Sequence, residues 1–123
     1  MKTLLLILFF LFLIPKSTYA QCNTWTQKAN FGGTARYGAV GFSIGSKGYI
    51  GTGISTGNVY HKDFWEYNPT SNTWAQKADF GGNARSYAVG FSIGNKGYLG
   101  TGDTCDSCFS KDFWEYDPVS NTW

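Results

Sequence analysis

An all-β chain made of repeated four-stranded antiparallel units is what this sequence predicts, on three observations. Residues 75–123 repeat residues 26–74 without a gap; 17 of 49 positions differ, which leaves 32 identical. Within each repeat, small and large apolar residues alternate with period two between tight glycine turns, the pattern of half-buried strands. No stretch of the repeat carries the 3.6-residue periodicity of an amphipathic helix. Aromatic residues make up 19% of the chain, too many for a disordered polymer.

The elements follow in chain order. Residues 1–20 read as an export signal. Met1-Lys2 gives a charged start, Leu4 to Ile14 an unbroken apolar run, and Thr18-Tyr19-Ala20 a small-residue cleavage site. The apolar run is about half the roughly 20 residues that a transmembrane helix needs. A buried core helix is argued against by Pro15, Lys16 and the change of composition at Gln21. Cys22 does not make this a lipoprotein signal, because Gln21 stands where a small residue is wanted. Removing the signal takes Lys2 and Lys16 from 10 basic residues and leaves the 8 acidic ones untouched, so the exported chain is neutral. Neutrality argues against a nucleic-acid binder and a polybasic membrane-surface protein.

After the signal, Trp25 to Ala29 reads as a lone outer strand, within a segment 21–34 that belongs to a preceding or closing unit. The first full repeat is 35–83. Ala39 to Ile44 alternates small and large residues as a strand, and Gly45-Ser46-Lys47-Gly48 forms a tight turn. Tyr49 to Gly53 makes a second strand, and 54–61 a loop. Asp63 to Tyr67 is a third strand, with Asp63, Trp65 and Tyr67 on one face and Phe64 and Glu66 on the other. Asn68 to Asn72 is a polar turn in which Pro69 fixes φ, and Trp74 to Ala78 is the fourth strand. The second repeat, 84–123, ends as its own fourth strand begins at Trp123. A period of 49 residues fits a propeller blade rather than shorter solenoid repeats.

At these positions the chain resembles the kelch repeat. The likeness rests on Arg36 and Arg85 opening the first strand, and on Gly51 and Gly53 with Gly100 and Gly102 closing the second. Tyr67-Asn68-Pro69 and Tyr116-Asp117-Pro118 follow, then Trp74 and Trp123. Gly-Thr-Gly stands where the family has adjacent glycines, which is similar to the secreted, galactose oxidase central domain-like branch. The resemblance implies four-stranded propeller blades, of which about two are present. A propeller closes with four to eight. Three readings of the shortfall are open: a piece of a longer protein, a ring of identical chains, or a two-blade relic.

Candidate sites are few. Arg36 and Arg85 could hold an anion, but their recurrence in both repeats points to a structural fork. Trp65, Trp114, Tyr67, Tyr116, Trp74 and Trp123 could stack sugars, and the same recurrence points to packing between blades. Asp63 with Glu66, and Asp112 with Glu115, lie on opposite strand faces and cannot share one substrate. His61 is the only histidine, so neither a metal centre nor a triad is spelled out. The copper site that galactose oxidase resemblance would imply needs two histidines, and oxidase activity does not carry over. No cofactor is expected. Asp103, Asp106 and Asp112 match no calcium loop.

Cys105 and Cys108 close a short loop, and export favours a disulfide there over free thiols or a metal. Eight of the 17 differences between the repeats are consecutive, Ile54 to His61 against Asp103 to Ser110. Variable loops on a rigid scaffold carry recognition. The candidate recognition residues are therefore Ser55, Asn58, Tyr60 and His61 in one loop, and Asp103, Asp106 and Phe109 in the other. The resemblance implies that the turns holding Thr34 and Asn83 share their face. The expected function is a secreted, non-enzymatic module, extracellular or periplasmic, that binds a protein or a glycan. The alternative is part of a carbohydrate oxidase or epimerase whose catalytic residues lie in further blades.

Overall fold

The computed structural model describes residues 23–105 and 107–123. The export signal read over 1–20, Cys22 and Asp106 lie outside the described residues. Among the described residues there is no helix. Nine strands form among the described residues: β1 Val40–Ile44, β2 Lys47–Gly51, β3 Ile54–Ser55, β4 Val59–Tyr60, β5 Phe64–Asn68, β6 Thr73–Lys77, β7 Val89–Ile93, β8 Lys96–Gly100 and β9 Phe113–Tyr116. They make a four-stranded sheet of order β1-β2-β5-β6, a small β3-β4 sheet, and a three-stranded sheet β7-β8-β9. Every pairing is antiparallel.

Three expectations need correction. The turn between β1 and β2 is shorter than the sequence suggested: Ile44 already faces Lys47, leaving Gly45-Ser46 as the two-residue loop. Gly45 takes φ +57°, which this hairpin class demands of its first residue. The segment 54–61 is not plain loop, because Ile54 and Ser55 pair with Tyr60 and Val59 around a turn in which Gly57 and Asn58 have positive φ. The lone strand expected over Trp25 to Ala29 is irregular backbone. A strand exists only beside a hydrogen-bonding neighbour, and none of the described strands runs along it. It is tethered at one point: the Ala29 N–H donates to Asn72 Oδ1 (2.9 Å), and its carbonyl accepts from Trp74 Nε1 (3.1 Å).

The larger sheets pack face to face. Period-two alternation sends Val40, Phe42, Ile44, Tyr49 and Phe64 to one face of the four-stranded sheet. Phe42, Tyr49 and Phe64 stack on that face, and Tyr116 and Trp123 meet Phe64 edge-on with centroids 4.9 Å away. Val40, Phe80 and Leu99 form a second cluster beside Trp114 and Trp123. Connecting segments tie the repeats together. The Gly53 N–H donates to the Arg85 carbonyl (2.7 Å), Arg85 N–H to that of His61 (3.1 Å), and Phe80 N–H to that of Lys62 (2.8 Å).

Leu99 is fully buried between the sheets. Leu99→Ala is expected to lower unfolding stability by about 3 kcal/mol through lost burial and a residual cavity. Val119→Ala, on an exposed turn, is expected to stay within about 0.5 kcal/mol. Urea denaturation midpoints read the difference, and equal effects would place the core elsewhere.

Candidate functional site

Each repeat is anchored by an arginine fork. Arg36 donates through Nη1 and Nη2 to both oxygens of Asp63, through Nη1 to the Thr52 carbonyl (3.0 Å) and through Nε to that of Thr34 (2.9 Å). Arg85 repeats this with Asp112 (2.5 and 2.8 Å), the Thr101 carbonyl (2.8 Å) and the Asn83 carbonyl (3.0 Å). Trp65 and Trp114 donate their indole N–H to the same carboxylates, at 2.7 and 2.8 Å. Phe31 and Phe80 lie under the guanidinium carbons at 5.2 and 4.7 Å, within cation–π range. Four of the five N–H donors of each guanidinium are engaged inside the fold, which commits both arginines to structure.

The forks govern protonation. Hydrogen bonds from Arg85 hold the Asp112 carboxyl far below the ordinary carboxylate range, against the opposing effect of desolvation, with Ser110 and Trp114 adding donors. Burial works to raise Asp63, but hydrogen bonds from Arg36 and Trp65 outweigh it and leave that carboxyl lowered too. Neither acid is available as a proton donor. Glu66 sits in another network, accepting from the Tyr49 hydroxyl (2.8 Å) between Lys47 and Lys77. Burial, with the Glu66 hydrogen bond, pushes Tyr49 well above the ordinary phenol range. Tyr116 is raised to about 12, mainly by burial.

The forks also hold strained backbone. Thr52 and Thr101 lie at φ +58° and +59°, a region that β-branched residues avoid. Their carbonyls are the ones the arginines grip. One shared glycine beyond each threonine the variable segment begins, at Ile54 and at Asp103, so the fork sets where the loop leaves the sheet.

The two variable segments are built differently. In the first, Ser55 and His61 join through Ser Oγ and His Nε2 at 2.9 Å. Burial and the Arg36 charge lower the His61 pKa, leaving it neutral at pH 7. A serine–histidine contact is the start of a nucleophile–base pair, but Ser55 is buried, which closes its hydroxyl to a substrate. Asn58 sits exposed at the hairpin turn. In the second segment, a disulfide joins Cys105 to Cys108. The Cys105 N–H donates to Asp103 Oδ1 (3.2 Å), and Asp103 pairs through its backbone with Ser86 and Phe109. Asp106 lies outside the described residues. Tyr60 reaches across from the first segment, its hydroxyl 3.5 Å from Asp103 Oδ2.

Beside this contact opens a cleft of about 420 Å³ lined by Tyr87, Thr101, Gly102, Asp103, Phe109 and Ser110. Phe109 is 83% exposed and Tyr87 65%. Thr34 and Asn83 contribute carbonyls to the forks, and their side chains do not line the cleft. Tyr87 escaped the sequence reading, although its signal was present. It replaces Gly38 of the first repeat and keeps the glycine-like backbone, at φ +54° against +62°. A bulky ring at a left-handed position strains the chain without contributing to the core, and such strain clusters at functional positions. Among the described residues, no group of acids, histidines and cysteines is arranged to hold a metal.

No family model matches the chain, and neither does any curated protein. It is similar to the solved structure of YjhT, with a TM-score of 0.72 at 22% identity over 86% of this chain. The chain spans 42% of the length of YjhT. That likeness is one of backbone architecture alone.

Two outcomes test the site's construction. A carboxyl whose pKa is lower folded than unfolded adds stability that is complete above the unfolded value near 4 and fades as pH drops below it. Chemical denaturation is therefore expected to show Asp112→Asn less stable than the parent at pH 7. The gap should narrow toward pH 2; a gap constant with pH would remove Asp112 from this role. Alkylation of the folded protein, purified under air and without reductant, is expected to leave Cys105 and Cys108 unmodified by mass spectrometry, and labelling of both would refute the bridge.

Proposed function

We propose that this chain is a secreted, non-enzymatic binding module whose larger sheets are kelch-type propeller blades. Its ligand is a glycan held in the cleft of Tyr87, Phe109 and Asp103. The kelch reading is supported by the 49-residue recurrence, by the β1-β2-β5-β6 order, and by the same Arg–Asp–Trp fork in both repeats. A binding role rather than catalysis is supported by Asp63 and Asp112 being committed to arginines, and by the buried Ser55.

One observation carries the ligand class: two exposed aromatic rings and a carboxylate line one cleft on the most divergent segment of the repeat. A pyranose has an apolar C–H face that lies on an aromatic ring and hydroxyls at its edge that donate to a carboxylate. Binding clefts combine apolar walls with few well-placed polar groups in the same way. Thr101 adds a hydroxyl that both donates and accepts, and Ser110, whose O–H donates to Asp112, adds an acceptor.

A neutral-oligosaccharide array followed by calorimetry is expected to find a ligand for the exported protein. Tyr87→Gly removes the ring at a backbone position that glycine adopts freely, and Phe109→Ala removes an exposed ring. Each is expected to weaken binding by about tenfold or more, or roughly 1.4 kcal/mol, with no loss of fold. Capture of a protein partner instead, or glycan affinity indifferent to both changes, would overturn the reading.

A further inference from the structure

We infer that a second copy of this chain docks head to tail on the two sheet faces that stay open among the described residues. The template for that contact lies inside the chain. Val40, Phe42 and Ile44 project from the four-stranded sheet onto a face of the three-stranded sheet where Gly90 and Gly97 carry no side chain. A Cβ on Gly90 would stand 2.6 Å from Val40 Cγ2, and one on Gly97 would stand 2.5 Å from Phe42 Cε2. Projecting rings thus fill sockets made by glycine.

Both halves of this contact occur again, unmatched. β7 spells the same Val-Gly-Phe-Ser-Ile as β1, but Ile93 is 63% exposed against 7% for Ile44, and Phe113 is 58% exposed against 0% for Phe64. The rings are already arranged for contact. Phe91, Tyr98 and Phe113 stack with centroids 5.7, 5.8 and 5.7 Å apart, as Phe42, Tyr49 and Phe64 do at 5.9, 5.8 and 5.5 Å. The polar rim recurs as well: Tyr98 donates to Glu115 at 2.8 Å beside Lys96, matching Tyr49, Glu66 and Lys47.

The sockets recur on the opposite side of the molecule. Gly41 and Gly48, the counterparts of Gly90 and Gly97, would meet nothing nearer than 3.5 and 3.7 Å if given a Cβ. Ile50 and Tyr67 beside them are partly exposed, whereas their counterparts Leu99 and Tyr116 are fully buried. Among the described residues, one set of projecting rings has no socket and one socket has no rings. The surface that fits each face is the one this chain itself offers on its other side. Such a contact is heterologous, and its repetition gives a ring where the rotation closes and a filament where it does not. The inference stands whatever ligand the cleft takes.

Sedimentation velocity of the exported chain, from low to high micromolar, is expected to show species larger than a monomer. Gly48→Ala has room for its methyl within one chain but blocks an incoming Phe91, and Ile93→Asp places a charge among the projecting residues. Each variant alone is expected to be monomeric with an unchanged far-ultraviolet spectrum. Mixed, they should form a 1:1 complex that grows no further, since one supplies intact rings and the other an intact socket. Gly41→Ala serves as a second socket variant if Ile93→Asp fails to fold, because its monomeric state alone tests the face. A parent chain that stays monomeric overturns the inference, as do socket variants that still assemble or a mixture that stays separate.

Discussion

The bidentate pairing of one arginine with one aspartate in each repeat is the constraint on which the remaining geometry depends. It brings together parts of the chain 27 residues apart, Arg36 with Asp63 and Arg85 with Asp112. Its remaining donors take up a threonine carbonyl in a left-handed turn and a carbonyl from the preceding segment. Its flat face rests on phenylalanine, and its acid orients a tryptophan indole. A buried charge is tolerable when it is paired and hydrogen-bonded, and here one carboxylate and two backbone carbonyls within 49 residues of chain serve each arginine. Each repeat can thus carry its own polar core and leave its apolar faces for neighbours.

Those apolar faces explain the glycine content better than turns do. Gly90 and Gly97 sit within strands, where glycine ordinarily weakens a sheet. They are kept because Val40 and Phe42 occupy the space their side chains would fill. Spacing between facing sheets is set by what projects and what recedes, so alternation of glycine with valine, phenylalanine and isoleucine along β1 and β7 encodes both sides of the interface at once. A strand of that composition cannot bury its two faces by itself.

Much of this was legible in the sequence, because the repeat declares itself. Two copies sharing 32 of 49 positions mark the scaffold, and period two assigned the faces of Phe64, Trp65 and Glu66 correctly. Three features resisted for physical reasons. Whether Trp25 to Ala29 is a strand depends on a neighbour, which no local pattern specifies. The β3-β4 hairpin is two residues on each side, too short for any periodicity to register. Asn72 and Asn121 looked like ordinary turn residues. Their positive φ lets each side-chain oxygen accept a tyrosine hydroxyl and a backbone N–H 43 residues away, a long-range role that turn composition alone does not reveal.

The candidate site was legible in location and not in content. Divergence between the repeats pointed to the segments after Thr52 and Thr101, and the cleft opens there. Its walls, however, depend on how each segment closes. The first closes as a hairpin that buries Ser55 against His61. The second closes through a disulfide that leaves Phe109 outward, and Tyr87, from the opposite side, completes the wall. A fixed exit from the sheet with two different closures produces one occluded surface and one open cleft from nearly the same scaffold. The open cleft is therefore a property of the second repeat: the arginine fork holds both loop roots alike, and the chemistry that distinguishes them begins two residues beyond its grip, at Ile54 and Asp103.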